Sequence, residues 1–374
     1  MVIGLLFAFG VLFKEFENEY GWTRTLLSSC SAIAFFVMGI LALFTGRLSD
    51  KYGPRPVLAF TGIGYGIGFV LMSKVTEPWQ ILFIFATFVG LGMGTHDVVT
   101  LSTVARWFDK GRGVITGLTK VGTAVGQMII PPLTAYLIIN YGLQTSLVLL
   151  GITASLLLLL AALLMSHPPK TDYADVATVK KVSNSGARQT RTFKKLCAIQ
   201  FLFFPTLMTI PLHIAVHGID LGMAFAQASF LLTTIGASSI IGRLVVGLFL
   251  DLMGCRNAYF ICFIPILISL VGLLCFTSHS FLFFFMAIYG FGHGGLFAVV
   301  SPTVAGYFGM QEHGALFGTI LFFGTISGAV GPVLTGYAFD HFGDYNAAFT
   351  VLALLIAIGL ALVITLPKWQ PAEP

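Results

Sequence analysis

Long apolar runs separated by short polar turns fill almost the whole chain. Runs of about 20 residues, enough to cross a bilayer as a helix, fall near 24–46, 56–74, 80–105, 114–139 and 144–165. After a polar interval they resume near 196–217, 223–249, 257–277, 281–306, 315–338 and 346–367. These are eleven full spans, with an apolar Met1–Phe13 before them. Thirteen helical residues reach only about 20 Å, against a hydrocarbon core of roughly 30 Å. Met1–Phe13 therefore reads as the outer part of a first span whose beginning precedes this chain. A signal peptide is the rival reading, but this segment has no basic n-region and no small-residue cleavage site. The pattern predicts an all-α membrane protein of two six-helix halves, 1–165 and 196–374, joined by a linker over 166–195.

Composition agrees. Hydrophobic residues make up 57% of the chain and charged residues 9%, with a mean hydropathy of +0.93, whereas a soluble domain carries roughly 25% charge. Lipid must be its solvent. One set of connections collects Arg47, Lys51, Arg55, Arg106, Lys110, Arg112, Arg256 and Lys368, together with the linker. The opposite set holds only Lys14, Arg24 and Lys74 among Glu15, Glu17, Glu19, Glu77, Asp220, Asp340 and Asp344. The positive-inside rule places the basic set and both termini in the cytoplasm of a cell-membrane protein. The linker carries seven Lys or Arg against Asp172 and Asp175, so its net +5 equals that of the whole chain. It reads as a flexible segment near anionic lipid, and no nucleic-acid partner is expected. Cys30, Cys197, Cys255, Cys262 and Cys275 have no metal or redox spacing. No metal, cofactor or nucleophile–base set is expected, hence no enzyme.

The two halves repeat one another. Gly46 to Arg55 and Gly247 to Arg256 both read G-x-x-x-D-x-x-G-x-R between apolar runs. Gly90, Gly92 and Gly94 match Gly290, Gly292 and Gly294; Gly117 and Gly122 match Gly318 and Gly324; Thr134 and Tyr136 match Thr335 and Tyr337. Duplicated helical membrane proteins are mostly carriers with the substrate path between the halves. The glycine runs lack the strand and βαβ context of a dinucleotide fingerprint and read as close helix packing. Pro131, Pro132 and Pro332 are expected to kink their helices.

Gly46 to Arg55 resembles the loop between spans two and three of the major facilitator superfamily, G-x-L-[AS]-D-[RK]-x-G-[RK]-[RK], with Pro54 as the departure. Trp107 to Gly122 is similar to the second signature of the monocarboxylate transporters and oxalate/formate carriers. Phe108, Lys110, Arg112, Gly117 and Gly122 fit it; Trp107, Gly111 and Lys120 depart. Pro211 to Ile214, Asp220 to Gly222 and Ser239 to Leu244 resemble the microbial branch. The resemblance implies the major facilitator fold, with two six-helix bundles related by a pseudo-two-fold axis.

Only Asp97, Lys120 and Arg243 among the charged residues fall well inside spans, roughly 10–15 Å from the basic face by helical rise. A charge there costs about 2.5–3.5 kcal/mol on insertion scales, so each is a functional candidate. Arg243 offers a permanent planar fork to a carboxylate, at the position where the resembled carriers hold an anion-binding arginine. The Asp found one turn earlier in mammalian relatives is Ser239 here, so that proton-relay pairing does not carry over. Lys120 is either a second cation for the anion or half of a structural pair with Asp97. Oxalate carriers place a lysine near Phe322, the repeat mate of Lys120. Asp97 is equally a proton acceptor or a structural partner. His96, beside it, and His213 are further proton-coupling candidates, while His293, between two glycines, reads as packing. Asp50 with Arg55, and Asp251 with Arg256, read as gate or anchor contacts. The expectation is a monomeric carrier of small organic anions, with a monocarboxylate moved together with a proton. Carboxylate exchange is the alternative within carriers, and a transporter-like sensor the rival outside them.

Overall fold

The computed structural model describes residues 1–107, 112–166, 185–309 and 313–367. Twelve α-helices account for nearly all of them. Helix α1 (Val2–Tyr20) is longer than the apolar Met1–Phe13 predicts, continuing through Lys14 and Glu17 to a left-handed Gly21. Then come α2 (Arg24–Tyr52) and α3 (Pro54–Met72). The fourth span is composite, with α4 (Pro78–Ile84), a π-helical turn over Phe85–Val89 and α5 (Gly90–Trp107). Helix α6 (Arg112–Leu164) holds two spans that break at Gly142, where φ is 75°. After the short α7 (Ser185–Gln189), α8 begins inside the expected linker and runs Arg191–Asp220. Helix α9 (Phe225–Cys275) again holds two spans, breaking at Gly254 with φ 79°. Helices α10 (His279–Phe308), α11 (His313–Phe342) and α12 (Asn346–Ile364) complete the fold. Glycine takes positive φ at no steric cost, so each long helix can fold back on itself at that residue.

Among the described residues ten helical stretches are long and apolar enough to cross a membrane. One of them, Leu118–Leu164, folds at Gly142 into two. With α1 beside them, the two six-span halves of the sequence reading are in place. Large apolar side chains such as Leu252 (82% exposed) and Phe60 (72%) cover the outer surface. In water such a surface would drive association; in lipid it is the ordinary exterior. This is a multi-pass membrane protein.

Two long seams join the halves: α2 packs along α11, and the first span of α6 along the first span of α9, while α1 meets α8 between them at Gly10 and Leu212. They are asymmetric along their length. Gly336 and Gly318 lie eighteen residues apart, five turns at 3.6 per turn, so they share one face of α11. A methyl group at Gly336 would press on the Arg24 carbonyl and Ser28 of α2, whereas at Gly318 it would meet nothing within 4 Å. Gly236 and Gly247 of α9 share a face in the same way. The first abuts Ala124 and Met128 of α6, and the second meets nothing within 4 Å. Among the described residues, both seams are therefore tight toward the Arg24 end and without such close contacts toward the linker end, leaving a cleft between the halves there.

Candidate functional site

Arg243 sits where the α6–α9 seam begins to part, one turn before Gly247. Its Nη1 reaches across the seam, donating to the Lys120 carbonyl at 2.9 Å and to the Thr123 hydroxyl at 3.1 Å. The guanidinium carbon lies 5.5 Å from the centre of the Phe297 ring of α10. An aromatic face favours a cation beside it. One turn toward the Arg24 end, the Ser239 hydroxyl lies 3.5 Å from His293 Nδ1. The His293 ring, fully buried, is flanked by Tyr289 at 5.5 Å, Phe297 at 5.1 Å and Phe7 of α1 at 6.5 Å. The apex of the cleft is thus one guanidinium, two hydroxyls, an imidazole and an aromatic wall, drawn from both halves. That set can hold a small anion by its charged end and an apolar body against rings.

The sequence candidates do not all gather there. Lys120 does, on the same turn as Thr123 and half-buried, with its carbonyl bonded to Arg243. His96 and Asp97 lie on α5, but their side chains fall outside the described residues, as do those of Asp50 and Asp251. Part of the second signature, residues 108–111, also lies outside them. Arg55 donates from Nε to the Met165 carbonyl, tying the start of α3 to the end of α6 within one half. Arg256 stacks over Phe260 of its own helix at 5.7 Å. His213 lies elsewhere, at the closed end.

That end is built around Arg24, which sequence reading left among the loop charges. Its side chain is 2% exposed. Nε donates to Glu17 of α1 at 2.5 Å, and Nη1 and Nη2 donate to Asp220 of α8 at 2.6 and 2.9 Å. The guanidinium carbon stacks 3.6 Å from the centre of the Phe339 ring of α11. Asp340 of α11 accepts from the Arg24 and Thr25 backbone amides at 3.0 and 2.8 Å, so a carboxylate of one half caps the first turn of a helix in the other. Lys14 adds a second cation, 3.5 Å from Asp220. A guanidinium fork between carboxylates is among the strongest polar contacts available, and here it fastens the two halves together.

A hydrogen-bond chain leads inward from Arg24. Its Nη1 donates to the Tyr345 hydroxyl at 2.7 Å, and that hydroxyl lies 3.1 Å from His213 Nδ1. His213 Nε2 lies 3.1 Å from both the Pro332 carbonyl and the Ser28 hydroxyl. A carbonyl only accepts, so Nε2 carries the ring proton and Nδ1 accepts from Tyr345. In that tautomer the donors run from Arg24 through Tyr345 and His213 to Pro332. The available sign in the sequence was that Arg24 immediately follows the helix-capping Thr23, as a rare cation in an acidic set.

Against this geometry the family assignment is direct. The family model of the Major Facilitator Superfamily matches residues 1–226 and 196–374. The chain belongs to the major facilitator superfamily. Its duplicated halves, two seams and one-ended cleft are those of a membrane transporter, and it is not an enzyme. Within the superfamily the chain is 27% identical to monocarboxylate transporter 13 of Rattus norvegicus over 379 residues, covering 99% of this chain and 86% of that one. It is 25% identical to monocarboxylate transporter 4 of Gallus gallus, covering 100% and 83%. A fungal relative, MFS-type transporter 1 of Ophiocordyceps sp. (strain BCC 1869), is 26% identical over 87% of this chain and 72% of its own length. The fold is similar to that of the nucleoside transporter NupG, with a TM-score of 0.78 at 13% identity over 98% of both chains. It is also similar to a bacterial homologue of the human lysosomal transporter Spinster, at 0.74 and 14% over 99% and 98%. The resemblance read from the two signatures is borne out, microbial relatives included.

Proposed function

We propose that this transporter carries small organic anions, a monocarboxylate moved together with a proton, by alternating access. The observation that carries the reading is Arg243, a permanent cation between the halves, whose guanidinium reaches the Lys120 carbonyl and the Thr123 hydroxyl of the opposite half. Similarity to transporters named for monocarboxylates supports the substrate class. A carboxylate entering the cleft replaces the Lys120 carbonyl and Thr123 hydroxyl as acceptor for the guanidinium. That exchange frees the α6–α9 seam at the point where it must move. Lys120 adds positive potential, and Phe297 and Phe7 offer surface to the apolar part of the anion.

With the linker and basic turns in the cytoplasm of the cell membrane, the cleft opens inward and the Arg24 cluster is the closed outer gate. Both termini then face the cytoplasm. Asp50 with Arg55 and Asp251 with Arg256 would anchor the inner ends of the helices. Asp97 and His96 serve as proton acceptors near the cleft. His213, enclosed here, meets protons only when the outer gate opens. A single chain contains both halves of the site, so the working unit is a monomer.

Uptake of mono- and dicarboxylates into vesicles, with and without a pH gradient, tests the assignment. Arg243→Ala should lower kcat/KM for the transported anion about ten- to a hundred-fold, the worth of a charge-assisted hydrogen bond of ~1.5–3 kcal/mol. Unchanged uptake would remove Arg243 from the site. Exchange is favoured by one feature, the presence of Lys120 on the turn facing Arg243, since two cations suit a dicarboxylate. It predicts dependence on an anion on the far side of the membrane in place of a proton gradient.

A further inference from the structure

A groove at the linker end of the second half is unused by the transport reading. It encloses about 560 Å³ and is lined by Arg188 of α7, Phe193, Lys194, Cys197, Ala198, Phe201 and Leu202 of α8, and Phe323 of α11. The helical faces fix where it opens. On α8, Gln200 packs against Gly324 of α11, and Leu202 packs against Gly359 of α12. Two residues of helix separate these by about 200°, and Ala198 and Phe201 lie on the arc between. On α11, Phe323 lies about 140° round the helix from the face that Gly318 and Gly336 share along the α2 seam, on the side away from the other half. The groove therefore looks out between α11 and α12, toward lipid.

Its floor is apolar and its rim is cationic. Arg188 and Lys194 are both exposed, and neither makes an ion pair with any described residue. Among the described residues no carboxylate lines the groove. The adjacent Lys195 is already engaged, donating to the Thr365 carbonyl at 2.8 Å and so fastening the start of α8 to the end of α12. That bond holds the rim at a fixed height while leaving its two neighbours available.

We propose that this groove holds one anionic phospholipid, with its phosphate between Arg188 and Lys194 and an acyl chain along Phe201 and Phe323. A neutral lipid would fill the apolar floor but leave two cations without a counter-charge. A soluble phosphate would meet the cations but leave the floor empty. Only a lipid with a negative head matches both parts, and basic pockets between helices at one membrane face suit such heads. The site depends on the chain lying in a bilayer and is independent of which anion is transported.

Native mass spectrometry of the full purified chain, offered phosphatidylglycerol or phosphatidylcholine of matched chains, reads the preference directly. The wild type should retain phosphatidylglycerol with roughly thirtyfold preference, the worth of two cations near a charged lipid. Arg188→Gln with Lys194→Gln should abolish that preference, while Lys51→Gln, an exposed cation away from the groove, should preserve it. Ala198→Trp, which fills the floor and keeps both cations, should also displace the lipid. Equal retention of the two lipids by the wild type, or a preference that survives the double substitution, would overturn the proposal. So would glycerol phosphate competing as well as the whole lipid, which would make the site one for a free anion.

Discussion

Arg24 is the residue on which the closed end turns. It joins Glu17, 18% exposed, and Asp220, 22% exposed, across the two halves, and Tyr345 couples it to His213. Removing one partner of a buried ion pair costs about 3–5 kcal/mol, because the remaining charges stay enclosed; partial exposure of the carboxylates reduces that here. Arg24→Ala should lower the melting temperature of the purified protein and raise maleimide labelling of a cysteine placed at Ser28. Adding Glu17→Gln and Asp220→Asn to that variant should recover much of the melting temperature without restoring closure, since neutral carboxamides need no counter-charge. If Arg24→Ala melts and labels like the wild type, the cluster does not hold the halves together. Arg243 differs in kind. It bridges the α6–α9 seam through the Lys120 carbonyl and the Thr123 hydroxyl, away from the Arg24 cluster.

At the scale of elements, the seams show which helix faces must separate and meet. Gly336 and Gly318 occupy one face of α11, the first pressed against α2 and the second open. In an alternating mechanism the open stretch must close when the other end parts. Gly318→Leu should therefore leave stability within about 0.5–1 kcal/mol, the range of a solvent- or lipid-facing change including the helix preference gained. Its transport should nevertheless fall severalfold, because the bulky side chain obstructs inner closure. Gly336→Leu should lower stability, since it collides with α2 in the state seen here. A vesicle assay beside a thermal melt separates the two. Transport by Gly318→Leu at the wild-type rate would mean that this face never closes.

The element level was also where sequence periodicity was most readable. The spans, their number and the duplication follow from runs of about 20 apolar residues, because backbone groups in lipid must be satisfied within helices. The ends of helices were less readable. Helix α1 continues past Phe13 through Lys14 and Glu17 because those charges find Asp220 and Arg24 in other helices. A one-dimensional hydropathy pattern treats them as the end of a span. Helix α8 begins at Arg191, where Thr190 caps it through the Phe193 amide at 3.2 Å, before apolar character starts.

For the whole molecule, a cleft open at one end implies a second state open at the other. A disulfide between cysteines placed at Thr25 and Asp340, whose side chains already meet across the seam, would lock the closed end. It should arrest net uptake, and reduction should restore it; uptake that continues through the lock would exclude rocking of the two halves. An inwardly directed proton gradient should raise monocarboxylate accumulation above the level reached at equal pH. Accumulation indifferent to the gradient but dependent on internal anion would select exchange.

Membrane residence, two homologous halves and their orienting charges were already contained in the sequence, because the cost of placing polar groups in lipid acts residue by residue. The family followed from local signatures for the same reason. The sequence also singled out Arg243 and Lys120, since a charge within an apolar run is conspicuous wherever it points. What it could not supply was company. That Arg24, Glu17, Asp220, Asp340 and Tyr345 form one cluster depends on five segments meeting at one end of the bundle, with Arg24 bonded to a residue 321 positions away in the chain. That His213 meets Tyr345, Ser28 and Pro332 is likewise a matter of helix rotation, which hydropathy does not encode. Which end of the cleft stands open is a balance between alternative contacts of the same residues, and only the tertiary structure decides it.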